Sequence, residues 1–196
     1  MNVWRDRLQR WFTPLARRTP LSPNAVTLLA LGIQLIAVAC LYRRAFLLAL
    51  PFIIVGGLAD AFDGIIARVQ AKESRFGDFL DHFADRIADL ALAASWMLGS
   101  GVREVIAMLV LIAIMLNGYI GTQIEATWKI REYDTIGRGE FVVGMIVFPI
   151  VSHILFANGW EHIGGGGLTI VEWMAAAMAL FAAIGIAQRF GKAMRM

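Results

Sequence analysis

Cysteine is almost missing from this chain: Cys40 is the only one in 196 residues. An internal disulfide and any multi-cysteine metal site are thereby excluded, and a lone thiol in an apolar run reads as packing. Charge is scarce as well. Asp, Glu, Lys and Arg make up 17% of the residues against 59% that are hydrophobic, whereas a soluble domain carries roughly a quarter charged. A water-soluble globule is excluded, and one all-α domain in a bilayer is expected. A secretory signal is not expected either, because Arg5, Arg7 and Arg10 interrupt the N-terminus before an apolar stretch can form. Histidine is limited to three residues with no Cys/His cluster. His82 and His153 are expected to pack within helices rather than to ligate. No heptad or internal repeat is present.

What the chain does have is long apolar runs. A membrane-crossing helix needs about 20 of them in a row, and six stretches fit: roughly 24–42, 45–68, 76–99, 104–128, 140–158 and 167–188. Residues 1–20 alternate Arg with Trp, Leu and Phe, a pattern that suits a juxtamembrane amphipathic helix on the membrane surface. Residues 21–196 form the six-helix domain. Of the eighteen Lys and Arg, fourteen fall in the N-terminal arm, the 2–3 turn, the 4–5 turn and the tail, three on the other side, and Arg86 within a span. Both termini are therefore expected in the cytoplasm of a cell whose inner membrane holds the protein. The net charge of +3 is a topology signal, and no nucleic-acid partner is expected. Trp96, Trp160 and Trp173 are expected at the outer interface, and "GGGG" at 164–167 as a flexible outer loop.

Against this background the segment "GLADAFDGIIARVQAKESRFGDFLDHFAD" (57–85) is anomalous. It places carboxylates in the inner halves of spans 2 and 3. Asp60 and Asp63 share one face of a helix by their spacing of three, and Gly77, Asp81 and Asp85 share one face by spacings of four. On an antiparallel pair the four aspartates would face each other in two layers, the deeper about 12 Å from the turn. One charged Asp at a helix centre costs about 2.5–3.5 kcal/mol on insertion scales, so the cluster needs cations. Arg86 and Arg68 can supply part. The remainder suits a hard cation with oxygen ligands, Mg²⁺ or Mn²⁺, as two ions. Paired metals of that kind serve displacement at phosphorus. Gly64 and Gly77 lie beside the aspartates, where a missing side chain lets a ligand or backbone come close. Asp78 and Asp89 are expected to be structural, Asp78 at a helix N-terminus and Asp89 paired with Arg86. "SPN" at 22–24 makes a helix start, with Ser22 as cap and Pro23 in the first turn, and it also offers Asn24 and Thr27 to a nucleotide.

The spacing resembles the CDP-alcohol phosphotransferase (CDP-alcohol phosphatidyltransferase) family. Its motif D-x-x-D-G-x-x-A-R, eight residues, then G-x-x-x-D-x-x-x-D is matched at all eight fixed positions by Asp60, Asp63, Gly64, Ala67, Arg68, Gly77, Asp81 and Asp85. "LSPNAVT" (21–27) before the first span extends the resemblance. It implies a transferase that binds a CDP-linked donor at the cytoplasmic end of the aspartate hairpin. An acceptor hydroxyl attacks the β-phosphorus and CMP leaves. By position, Asp60, Asp63, Asp81 and Asp85 would hold metal, and Asp85 would also be the base. Gly64, Ala67 and Gly77 would line the cytidine pocket with Asn24 and Thr27, and Arg68 would hold the diphosphate. A homodimer is implied too.

A site buried among spans makes most sense for a lipid-anchored substrate, so CDP-diacylglycerol or an archaeal-type analogue is the expected donor, with a soluble CDP-alcohol such as CDP-inositol, or a lipid acceptor, as the alternative. For the acceptor, members that make inositol-phosphate lipids typically carry S-Y-x-[KR]-A-[KR]-A-E on the fourth helix. Here "GYIGTQIEA" (118–126) keeps Tyr119 and Glu125 but has Gly121 and Gln123 at the basic positions. An anionic acceptor of glycerol phosphate or inositol phosphate type would then be met by Arg138, with Lys129 and Arg131 at the same membrane face. A divalent-cation transporter would carry polar residues on through the outer half. Spans 2 and 3 read "AFLLALPFIIV" and "LALAASWML" there, without charge. A membrane prenyltransferase would need more spans and another aspartate spacing.

Overall fold

A computed structural model describes residues 12–129 and 138–195, and of Arg138 the backbone only. The described part is helical apart from one small hairpin. A short helix α1 (residues 12–18) precedes six long ones: α2 Pro23–Tyr42, α3 Phe46–Val69, α4 Arg75–Gly99, α5 Glu104–Trp128, α6 Arg138–Ala157 and α7 Ile170–Ala193. Local chemistry sets the ends. The Ser22 hydroxyl accepts from the Ala25 N–H and Pro23 fills the first turn of α2, while Thr169 and Glu172 form a reciprocal capping box on α7.

Five of these helices are long and apolar enough to cross a membrane. The sixth, α4, is as long but carries Asp78, Asp81, Asp85, Arg86 and Asp89, which removes it from that class by composition. The protein is an integral membrane protein. Helix α2 packs along α3 and α4, α4 also meets α5, α5 packs on α7, and α6 lies against α3.

The apolar core fills the end of the bundle where α3 begins and α4 ends. Leu41, Phe46, Ala49, Leu92, Trp96, Met97 and Val171 are buried there. Trp96 is fully buried and not at an interface, which corrects the expectation for it. Its indole N–H donates to the Ser152 hydroxyl at 2.9 Å and its ring lies 5.1 Å from that of Phe148. An indole with a hydrogen-bond partner inside the bundle has no need of a wet surface. Trp160 and Trp173 are exposed.

The "GGGG" run is likewise not a loose loop. Strands β1 (Gly164–Gly165) and β2 (Leu168–Thr169) pair antiparallel, joined by Gly166 and Gly167 at φ +65° and +78°. A two-residue hairpin with both central residues at positive φ strongly favours glycine, with Asn or Asp as the usual alternative at the first position. The Gly167 carbonyl accepts from Arg103 Nη2 at 3.0 Å. Arg103 Nε in turn donates to the buried Glu172 at 2.6 Å.

At the opposite end a smaller apolar group (Ala16, Val26, Ile65, Ile66) ties α1 to α2 and α3. The Phe12 ring lies 5.6 Å from that of Phe62. The Gln70 amide donates to the carbonyls of Ala16 (2.7 Å) and Thr19 (2.9 Å).

Candidate functional site

The turn between α3 and α4 places the aspartates. Ala71, at φ +52°, ends α3 with its amide bonded to the Arg68 carbonyl and that of Lys72 to Ala67. Ser74 then caps α4 in extended conformation, its hydroxyl accepting from the Gly77 N–H. Beyond this turn the two helices pack on α2 rather than along one another, which corrects the expected antiparallel pairing, yet three of their aspartates still converge. Carboxylate oxygens of Asp60, Asp63 and Asp81 all lie within 4.8 Å of one another. Asp63 is buried and the other two are half-buried. Thr27 of α2 donates its hydroxyl to Asp63 at 2.5 Å.

At about 4 Å and an effective dielectric constant of 20, each pair of charged carboxylates repels by about 4 kcal/mol. Three oxygen donors from two helices, held this close at that cost, fit a divalent hard cation.

Gly64 follows Asp63 directly, and Gly77 lies one turn before Asp81. A Cβ on Gly77 would sit 3.0 Å from Asn24 Oδ1, so the glycine lets Asn24 come close. A Cβ on Gly64 would sit 3.5 Å from Arg68 Nη1. Asn24, Thr27, Gly64, Arg68 and Gly77 therefore flank one end of the aspartate hairpin, drawn from α2, α3 and α4. Ala67 lies half-buried on α3 one turn from Gly64.

Asp85 differs from the two-layer expectation. It is buried but does not belong to the three-carboxylate group. It stands one turn, about 6 Å, beyond Asp81. There it lines an open cavity of about 670 Å³ between α4, α5, α6 and α7, within the size range of small-molecule sites.

Two arginines not foreseen as acceptor contacts also line that cavity, Arg86 and Arg189. Each rests on a glycine of α5. A Cβ on Gly118 would collide with the Arg86 guanidinium, and one on Gly121 would press on that of Arg189. Arg86 Nη2 lies 3.2 Å from Asp89, as its spacing of three leads one to expect. Arg189 Nη1 donates to Asn117 through both its carbonyl and Oδ1. The signal lay in the sequence as two glycines three apart on α5. Their meaning depends on side chains from α4 and α7.

Of the foreseen acceptor contacts, Lys129 is exposed at the end of α5 and is not on the cavity wall. Arg131 and the Arg138 side chain lie outside the described residues. His82 does more than pack: its ring reaches the same cavity, 3.8 Å from Glu125, and with Asp78 these two bring ligand atoms within 4.8 Å of one another.

A membrane helix bundle with a carboxylate cluster fit for metal, beside a cavity walled by a buried aspartate and two arginines, defines a class: a membrane enzyme with a candidate divalent-cation site. The chain belongs to the CDP-alcohol phosphatidyltransferase family, whose profile matches residues 20–184. It is 35% identical over 99 residues to the archaetidylinositol phosphate synthase of Pyrococcus horikoshii, a match that covers 50% of this chain and 53% of that protein. The chain thus spans about half the length of that curated relative. It is 29% identical over 160 residues to the phosphatidylinositol phosphate synthase of Mycolicibacterium smegmatis, covering 76% of this chain and 71% of the other. Among solved structures, the Mycobacterium tuberculosis phosphatidylinositol phosphate synthase with CDP-DAG bound shares the fold. Its TM-score is 0.71 at 22% identity, over 93% of this chain and 92% of that one. The same relative in complex with manganese and citrate has a TM-score of 0.71 at 23% identity, over 91% and 87%.

Proposed function

We propose that this protein transfers a phosphatidyl group from CDP-diacylglycerol to the hydroxyl of a small phosphorylated alcohol, of inositol phosphate or glycerol phosphate type, releasing CMP. The observation that carries this reading is the meeting of Asp60, Asp63 and Asp81 within 4.8 Å, with Asp85 one turn further on the wall of a cavity. Such an arrangement gives the donor diphosphate and the acceptor alcohol separate places on the two sides of one reacting phosphorus.

Asp60, Asp63 and Asp81, with Asp85 at the edge of the group, hold Mg²⁺ or Mn²⁺, as two ions. When bound, the metal offsets charge on the phosphoryl oxygens. Thr27 keeps Asp63 oriented through its hydroxyl. Gly64, Ala67, Gly77 and Asn24 receive the cytidine, and Arg68 pairs with the diphosphate through its planar fork. Asp85 takes the proton from the acceptor hydroxyl. The freed oxygen bonds to the β-phosphorus, and the bond from that phosphorus to the CMP oxygen breaks. Gly139 and Glu140, which follow Arg138, line the cavity, which supports Arg138 as a contact for the acceptor phosphate.

Helix α4 is the sixth crossing. Its 25 residues reach about 37 Å, and it packs against α2 and α5. The Lys and Arg distribution puts both termini, α1 and the aspartate turn on the cytoplasmic side of the inner membrane. A homodimer follows from the family resemblance, and crosslinking in native membranes tests it.

The decisive experiment incubates purified protein with CDP-diacylglycerol, Mg²⁺ and a panel of phosphorylated and plain alcohols, and reads lipid product by mass and CMP by chromatography. Metal-dependent CMP release with a phosphorylated acceptor is expected. Product only with a soluble CDP-alcohol donor would replace the lipid donor in this reading.

A further inference from the structure

The basic residues that an anionic acceptor would be expected to meet on α5 are missing, and glycines stand there instead. The space they leave is filled from neighbouring helices. The Arg86 guanidinium occupies the volume a side chain at Gly118 would take: a Cβ there would lie 1.6 Å from Nη1 and 2.6 Å from Cζ. No other residue than glycine at 118 is compatible with that seat. Arg86 is also the immediate neighbour of Asp85, and both line the same cavity.

The two cavity arginines are not equivalent. Arg189 donates to Asn117 through two acceptors. Arg86 pairs with Asp89 through Nη2, while its Nε, buried beside Gly118, has no hydrogen-bond partner among the described residues. A buried guanidinium N–H left unmatched calls for an explanation, a bound anion among them. The fork geometry of arginine suits a phosphate or paired hydroxyls.

We propose that Arg86, seated over Gly118, is a specificity-determining residue for the acceptor: its guanidinium binds the anionic phosphate of the acceptor alcohol beside Asp85. This rests on the reading of a phosphorylated acceptor given above. It relocates recognition from α5, where relatives of the resemblance carry basic residues, to α4, the helix that also carries Asp81 and Asp85. Acceptor choice and proton removal then depend on adjacent residues of one rigid element.

The test uses the full-length protein in detergent with CDP-diacylglycerol and Mg²⁺, inositol 1-phosphate as the probe acceptor, and CMP release as the readout. Arg86→Gln keeps an amide toward Asp89. It is expected to raise the acceptor KM about ten- to a hundred-fold, the range of one charge-assisted hydrogen bond. The donor KM and kcat should stay within about threefold. Arg86→Lys retains the charge without the fork and should fall between. Gly118→Ala, which evicts the guanidinium, should reproduce the Arg86→Gln defect, and the double variant should be no worse than either single. Calorimetric titration of inositol 1-phosphate into each variant, without donor, gives the same ranking free of turnover.

An unchanged acceptor KM in Arg86→Gln overturns the assignment, as does a loss spread equally over donor KM and kcat, which marks a structural ion pair. If wild-type protein turns over no phosphorylated alcohol at all, the acceptor reading above fails as well. Wild-type turnover with an indifferent Arg86→Gln sinks this inference alone.

Discussion

The two ends of the bundle treat polar groups in opposite ways. At the end near Trp96, most buried polar groups answer one another: the indole N–H has Ser152, and Glu172 has Arg103 together with the Thr169 amide, with Glu161 Oε2 the exception. At the end near the α3–α4 turn, like charges are crowded together. Three carboxylates converge, and glycines at 64, 77, 118 and 121 stand beside Arg68, Asn24, Arg86 and Arg189. One end is built to hold shape. The other holds chemistry at a cost in stability, which the closed end helps offset.

That contrast can be broken from either side. The largest effect should come from Asp63→Asn, which removes one carboxylate from the proposed metal group. A loss on the order of 10³-fold in kcat/KM, with weaker metal and donor binding, is expected from CMP-release kinetics. Asp85→Asn should lower kcat by about 10²–10⁴-fold while metal-dependent CDP binding, followed by calorimetry, persists. Wild-type turnover by this variant would remove Asp85 as the base. At the closed end the signature should reverse. Ser152→Ala leaves the Trp96 N–H buried without that acceptor and should cost about 1–3 kcal/mol of stability, seen as a lower melting temperature with unchanged acceptor and donor KM. Smallest is Ala71→Gly. Relieving a left-handed alanine at φ +52° should gain about 1 kcal/mol in thermal unfolding, and a fall in stability would show that the methyl group packs usefully.

Much of the fold was legible because long apolar runs leave few choices. The expected stretches agree in extent with helices α2 to α6 to within two residues at each end, although α4 is not apolar enough to count as a span by composition. The last one starts later, since residues 164–169 form a hairpin whose need for positive φ cannot be told from mere looseness in a glycine run. The aspartate hairpin was legible from spacing alone, because spacings of three and four fix a helical face. Less legible was what depends on another helix. Trp96 looked like a belt residue until Ser152 and Phe148 of α6 were placed beside it. The Arg86 and Arg189 seats were invisible, because an empty position on α5 has meaning only against the side chain that fills it. Asp85 was grouped with the other aspartates by periodicity, which ignores the cavity that α5 to α7 open on its side.

Gln70 has a practical consequence. Its amide fastens the carbonyls of Ala16 and Thr19 two residues after Arg68, so the leading segment is strapped to the rim that would grip the diphosphate. A bulky fusion at the amino terminus would tug on that strap, whereas one at the carboxyl terminus, after α7, would not. Affinity tags at the two ends should therefore differ in apparent donor KM, and Gln70→Ala should erase the difference.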